Sequence, residues 1–176
     1  MTRSIRELLL VLGLCLAGII THMLPHEMGV STVGLISMLA AAYVSPRFML
    51  VPALATVLVV DALNGYYGAL AMSFVYLGHL AGVLAIRPLL TKRGPVNVFS
   101  ASVVNAVVFY LLSNLTPMAM GFYPATVEGL VNCYVNGLPF LLRGVMANLL
   151  FGAVVFGAIH LVGEWRAHRQ PAAQRF

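Results

Sequence analysis

Long apolar stretches recur along this chain, and they constrain its fold more than any other feature. Of its 176 residues, 61% are hydrophobic and only 9% are charged, whereas soluble domains are about 45–50% apolar and about 25% charged. So few charged residues cannot cover the water-facing surface of a globule of this size. The composition therefore excludes a soluble enzyme, a disordered chain and a secreted disulfide scaffold, and it predicts an all-α membrane protein.

About 20 apolar residues in a helix cover the roughly 30 Å of a bilayer's hydrocarbon core. The chain predicts six transmembrane helices in one domain over residues 1–165, at about 5–24, 30–44, 48–63, 69–90, 96–115 and 139–162. The second and third are short, so a re-entrant pair is an alternative. That arrangement would bury Arg47 in the bilayer at a cost of about 2.5 kcal/mol or more, so we favour two true spans.

Basic residues fall almost entirely on one side of the predicted membrane. Alternating the six spans places nine of the ten Lys and Arg residues on one side, all except Arg143. By the positive-inside rule that side is cytoplasmic, so both termini are predicted there. Residues 166–176 are predicted to form a short basic cytoplasmic tail. Because the basic residues are scattered among apolar runs, no nucleic acid partner is predicted.

The opposite, outer side holds the longest connection. Residues 116–138 join the fifth and sixth predicted spans, and their aromatic and apolar content argues against disorder. We expect this segment to fold as a lid over the outer mouth of the bundle.

Polar side chains near the outer ends of the spans predict a ligand pocket. Arg143 lies just below the outer interface, where it would pair with a carboxylate or an anionic ligand group. Asp61 follows an apolar run, and His79 lies near the bilayer midplane. The predicted ligand-binding residues are His22, His26, Asp61, Asn64, Tyr66, Tyr76, His79, Glu128, Tyr134 and Arg143.

Several of these residues also have a purely structural interpretation. His22 and His26 are four residues apart, but Pro25 breaks the helical register that would align them as metal ligands. His79 could hydrogen-bond to a neighbouring helix, and the stem of Arg143 could reach the interface. No metal site, cofactor or catalytic residue is predicted, since the sequence has no zinc spacing, phosphate loop or nucleophile motif.

Mid-span amides and small residues predict how the helices pack. Asn105 and Asn148 are expected to form hydrogen bonds between helices. Pairs of small residues with four-residue spacing permit close helix contact. We expect internal packing at Gly78 with Gly82 and at Ala153 with Gly157, and a partner-docking face at Gly13 with Ala17.

Several motifs resemble those of a family of bacterial six-helix membrane proteins of unknown function. The resemblance covers nearly the whole chain, and its most specific part runs from Tyr123-Pro124 to Pro139-Phe140. The other matching motifs are Leu24-Pro25-His26, the small-residue run 33–43, Asp61, Gly129-Leu130, Cys133-Tyr134-Val135 and Asn148-Leu149. That family is in turn similar to the substrate-binding S components of energy-coupling-factor (ECF) transporters.

The resemblance implies a protein that captures a vitamin or metal at the outer face and docks on a coupling subunit driven by two ATPases. The chain departs from the family at two positions, with Arg143 in place of an Asn and Asn148 in place of an Asp. Some relatives look like cobalamin transporters that hold cobalt with a cysteine following the third-span Asp. No cysteine follows Asp61 here, although His79 would be an alternative nitrogen ligand.

The sequence therefore predicts a non-enzymatic solute-binding and uptake protein in the bacterial inner (cytoplasmic) membrane. Its predicted partners are a small-molecule substrate of the micronutrient type, with cobalamin as one candidate, the lipid bilayer, and an ECF-type coupling subunit with ATPases. Two other classes stay open. One is an intramembrane enzyme that uses His79 and Tyr76 as acid and base with Asp61 as the orienting carboxylate, and the other is a membrane scaffold or assembly subunit.

Overall fold

The computed structural model describes residues 2–169, and within that range the regular secondary structure is entirely helical. This confirms the all-α prediction. Seven α-helices follow one another, with a short 3₁₀ turn at Leu89–Thr91 between the fourth and the fifth. They are α1 (Arg3–Met23), α2 (Val33–Tyr43), α3 (Val51–Asn64), α4 (Ala69–Ile86), α5 (Pro95–Ser113), α6 (Leu115–Ala119) and α7 (Val127–Arg169).

Four segments are long and apolar enough to cross a membrane, namely α1, α4, the stretch Pro95–Ala119 and α7. Their length and composition indicate a membrane protein. The other two helices of the core are shorter. With 11 and 14 residues, α2 and α3 cover only about 16 and 21 Å, less than the hydrocarbon core of a bilayer.

Helix α2 lies at the centre of the bundle. Eight of its eleven residues are buried, and it contacts α1, α3, α4, α5 and α7. A helix that is apolar on every side is typical of such an enclosed position. The surrounding helices therefore shield the sides of α2 from the exterior of the bundle.

Two arginines close the C-terminal end of α2. The Arg87 Nη1 group donates to the carbonyl oxygens of Ala41 and Val44 at 2.7 and 2.6 Å. The Arg93 Nε and Nη2 groups donate to the Ala42 oxygen at 3.1 and 2.6 Å, and the Arg93 guanidinium lies over the Tyr43 ring. The last carbonyls of a helix have no partner within the helix, so these charged donors satisfy them.

The small-residue pairs have different surroundings. Gly78 and Gly82 let α4 approach α5, since a β-carbon at Gly82 would lie 2.7 Å from Asn105 Nδ2. The internal packing predicted for this pair is confirmed. A β-carbon at Gly157 would meet no atom within 4 Å. The internal packing predicted for Ala153 with Gly157 is therefore wrong. Gly13 is equally open and lies on the exposed side of α1.

The structure differs from the sequence prediction between residues 116 and 138. Instead of one long lid, this stretch forms most of α6, a connection over 120–126 and the first twelve residues of α7. Thr126 Oγ1 accepts a hydrogen bond from the Gly129 N–H at 3.0 Å, which is the N-cap interaction that starts a helix. Pro139, taken as the start of the last span, instead lies inside α7.

Helix α7 is therefore unusually long. Its 43 residues cover about 65 Å at 1.5 Å per residue, about twice the hydrocarbon thickness of a bilayer. The predicted tail over 166–176 begins as the last turn of α7, and its residues 170–176 lie outside the described range.

Candidate functional site

A cavity of about 280 Å³ lies inside the bundle, among α1, α2, α3, α4, α5 and α7. We call it the polar cavity because titratable and amide side chains face it. The polar residues that line it are His22, His26, Ser31, Asp61, His79, Asn105, Tyr110, Ser113, Asn114 and Asn148. Apolar and aromatic walls complete it, mainly Val57, Val60, Val75, Phe109 and Phe140.

Two imidazoles lie side by side at one end of the cavity. Helix α1 ends at Met23, yet the turn that follows brings the His26 ring to 5.0 Å from the His22 ring, measured between centroids. His22 Nδ1 lies 3.1 Å from Ser31 Oγ, and His26 Nδ1 lies 2.7 Å from the Leu24 carbonyl oxygen. Within residues 2–169 there is no group of three or more His, Cys, Asp or Glu side chains that could hold a metal ion.

Asp61 faces the cavity from the last turn of α3 and contacts the loop that follows. The Tyr67 hydroxyl donates to Asp61 Oδ2 at 3.4 Å. Burial, then the negative charge of Asp61 and this hydrogen bond, raise the pKa of Tyr67 from 10.0 to about 12. The carboxylate is thus anchored to the 65–68 connection while it lines the cavity.

The Tyr67 contact predicts a stability change at high pH. The unfolded chain loses the Tyr67 proton near pH 10 and the folded protein near pH 12. The contribution of Tyr67 to the free energy of unfolding is therefore fully present below pH 10 and is lost as the pH rises from 10 to 12. The Tyr67→Phe variant should lose less stability over this interval, as measured by thermal unfolding from pH 9 to 12. The control is Tyr66→Phe, because Tyr66 is 74% exposed. Equal pH slopes in the two variants would contradict the assignment.

His79 lies in the wall of the cavity, about ten residues into α4. Its ring stacks on the Phe109 ring of α5, with centroids 4.3 Å apart and planes inclined by 30°. Tyr76, one turn earlier, packs against the hydrophobic core and does not line the cavity. The side chains proposed as acid and base for an enzyme therefore differ in their access to the cavity.

Two buried amides form the inner end of the cavity. Asn148 Nδ2 donates to the Ser102 carbonyl oxygen at 3.2 Å and to Asn105 Oδ1 at 3.3 Å. In return, the Ser102 hydroxyl donates to the Asn148 carbonyl oxygen at 3.2 Å. The predicted hydrogen bonding between helices by the two asparagines is confirmed. Gly34 of α2 allows this arrangement, since a β-carbon there would overlap the Asn148 amide.

Besides Tyr76, five of the residues predicted for the ligand pocket do not line the cavity. Asn64, Tyr66 and Glu128 have exposed side chains. The Tyr134 hydroxyl donates to the Leu111 carbonyl oxygen at 2.5 Å and so joins α7 to α5. The prediction placed Glu128 and Tyr134 in the pocket because it treated 116–138 as a loop folded over it. Instead, both residues belong to α7, which begins at Val127 and sets the directions of their side chains.

Arg143 is the fifth of these residues. Its Nη1 group donates to the Met28 carbonyl oxygen at 3.0 Å, and its guanidinium lies 6.0 Å from the centre of the Phe140 ring. Within the described residues it forms no ion pair with Glu128 or Asp61. Arg143 thus joins α7 to the 24–32 connection.

The connection over residues 24–32, and not the segment 116–138 that the sequence analysis placed over the pocket, borders the cavity. It contributes His26, Gly29, Val30 and Ser31 to the cavity lining, whereas no residue of the described 116–138 segment lines it. Gly29 has a positive φ of 89°, and a β-carbon there would lie 3.2 Å from the Phe140 backbone. A glycine after Glu27-Met28 is a turn signal that was present in the sequence.

Fold and site together define a helical protein in which helices long and apolar enough to cross a membrane surround a polar cavity. Residues 2–173 match a family of unknown function, DUF6580, and the chain belongs to that family. No curated protein and no solved structure matches the chain.

Proposed function

We propose that this protein binds a small solute in the polar cavity and delivers it across the bacterial inner membrane, in the manner of an ECF S component. One observation carries the proposal. The cavity brings His22, His26, Asp61 and His79 together from three helices and one connection. Concave pockets with a few converging polar groups on apolar walls are typical of small-molecule sites.

Size and charge narrow the ligand class. A volume of about 280 Å³ lies just below the usual range for ligand sites, about 300–1,000 Å³. This volume favours a compact molecule of one or two rings over cobalamin, whose corrin ring and nucleotide loop are far larger. Among the described lining residues there is one carboxylate and no Lys or Arg, so we propose a neutral or cationic ligand with hydrogen-bonding groups.

The proposed topology has six spans with both termini in the cytoplasm. Arg3 and Arg6 stand at the start of α1, and His22 stands roughly 28 Å further along the helix. Arg87 and Arg93 border the same cleft as Arg3 and Arg6. This cleft, the arginine cleft, supports the cytoplasmic assignment of that end of the bundle by the positive-inside rule.

Release of the ligand needs energy from another protein. The sequence contains no phosphate-binding loop, so we propose a coupling subunit with ATPases as the source. The Gly13 and Ala17 face of α1 is exposed, which is consistent with the proposed docking of that partner. We further propose that the protein is not itself an enzyme.

Ligand binding is tested by a thermal-shift panel on the purified protein in mild detergent, with vitamins, nucleobases and divalent metals. A ligand at about 100 times its dissociation constant adds about 2.7 kcal/mol of stability, which is a measurable shift. We expect Asp61→Asn and His79→Gln each to weaken the affinity of the active compound at least tenfold, because each variant removes one specific polar contact in the cavity.

Glu128→Gln is the matched control. It removes one carboxylate, as Asp61→Asn does, but Glu128 is exposed outside the cavity, so affinity should not change. Equal affinities in all three variants would contradict the proposed site. A folded protein that no compound stabilises would contradict solute binding and favour a scaffold role. Turnover of the compound that disappears in His79→Gln would favour the intramembrane enzyme.

A further inference from the structure

A second, larger space runs between α5 and α7. This interhelical groove has a volume of about 610 Å³. Its walls are almost entirely carbon, and small residues on α7 open it. Its lining includes Arg93, Phe99 and Ser102 on one side and Gly152, Phe156 and Gly157 on the other. It contains none of the residues that line the polar cavity, so the two spaces are distinct.

The groove has the depth of one leaflet. Arg93 lies at its mouth, and Ser102 with Gly152 closes its inner end, where a β-carbon at Gly152 would lie 3.3 Å from the Ser102 hydroxyl. Along α7 the lining residues run from Leu149 to His160, a rise of about 16 Å. Half of a bilayer's hydrocarbon core is about 15 Å.

Charge is concentrated at the mouth of the groove. Arg93 borders the groove, the arginine cleft and a third cavity beside α7. The two adjoining cavities add Arg3, Arg6 and Arg87, against the carboxylates Glu7 and Glu164. Glu7 accepts a hydrogen bond from the Ser45 N–H at 2.7 Å, and Glu164 lies 3.3 Å from His160. The net charge around the mouth is therefore positive.

Arg93 retains donors for a ligand. Its Nε and Nη2 groups are bonded to the Ala42 carbonyl oxygen, and within residues 2–169 its Nη1 group has no hydrogen-bond partner. A phosphate oxygen at this position would gain a charge-assisted hydrogen bond. Pockets between transmembrane helices with basic residues at the cytoplasmic end are suited to anionic lipid head groups.

We propose that the interhelical groove binds one anionic phospholipid, with its phosphate at Arg93 and one acyl chain between α5 and α7. The apolar walls, the single-leaflet depth and the positive mouth each match one part of such a lipid. Gly157 borders the groove, and a β-carbon at this position would meet no atom within 4 Å. The acyl chain fills this open space.

Native mass spectrometry of the full-length protein in detergent tests this proposal. The probes are phosphatidylglycerol and phosphatidylcholine with identical acyl chains. We expect the wild type to bind phosphatidylglycerol at least fivefold more tightly, which is the effect of about one basic residue near the lipid surface. Arg93→Gln should abolish this preference, and Arg93→Lys, which keeps the charge, should retain most of it. Gly157→Leu should weaken both lipids at least fivefold by filling the groove.

Two neighbouring substitutions serve as matched controls. Lys92→Gln removes an adjacent positive charge that does not border the groove, and Ala158→Leu places the same leucine side chain on another side of α7. Both should bind the two lipids as the wild type does. Equal affinity of the wild type for both lipids, equal losses in Arg93→Gln and Lys92→Gln, or unchanged binding in Gly157→Leu would each overturn the proposal.

Discussion

Replacing Arg87 with methionine is expected to lower the free energy of unfolding by about 2–6 kcal/mol. The variant keeps most of the apolar stem but leaves the carbonyl oxygens of Ala41 and Val44 without their charged donor. Both residues are buried, and a buried polar group without a partner costs about 1–3 kcal/mol. Denaturant titration of the purified protein in detergent, followed by the fluorescence of its single tryptophan, measures the loss.

Lys92→Met provides the matched control for this prediction. Lys92 is exposed, so its replacement should change the free energy of unfolding by no more than about 0.5 kcal/mol. Arg87→Lys should recover part of the loss, because an ammonium group can still donate to one of the two carbonyls. A loss in Arg87→Met no larger than that in Lys92→Met would show that the α2 end is stabilised by other groups.

Gly34→Ala is the second substitution with a large expected effect, a loss of about 2–6 kcal/mol in the free energy of unfolding. The new methyl group would overlap the Asn148 amide, so the amide must leave the positions where it donates to Ser102 and Asn105. Overpacking a core and leaving a buried donor unpaired each cost about 1–3 kcal/mol. The same displacement changes the inner end of the polar cavity, so ligand affinity should fall as well.

A double-mutant cycle separates this effect from a general intolerance of α2. If the clash with Asn148 causes the loss, Gly34→Ala combined with Asn148→Ala should lose less stability than the sum of the single variants. Simple additivity would contradict the assignment. Gly163→Ala is the control for a glycine with open space around it, and it should not destabilise the protein.

The sequence was most informative where apolar length and periodicity decide the structure. Helices α1, α4 and α5 begin within two residues of the predicted spans and end within four residues of them, because hydropathy, and for α5 the proline at its start, act locally. The roles of Asn105 and Asn148 were also predictable, since a buried amide needs a partner wherever it lies.

The differences from the sequence prediction concern features that depend on contacts distant in sequence. Nothing local to Arg143 indicates that Met28 is its partner, 115 residues away. The helix start at Val127 did have a local signal, the Thr126 cap, but Pro139 competes with it because proline is favoured in the first turn of a helix. Because the prediction started the last helix at Pro139, it treated the first part of α7 as a lid and placed Glu128 and Tyr134 in the ligand pocket.

The end of α2 has a consequence for the order in which the protein is made. The donors on Arg87 and Arg93 follow the carbonyls they satisfy by 43 to 51 residues. When the ribosome has produced only α1 to α3, the side-chain donors for the last turn of α2 have not yet been synthesised. Helix α2 therefore completes its hydrogen bonding only after α4 and the turn that follows it have been synthesised, and its burial is a late step of biogenesis.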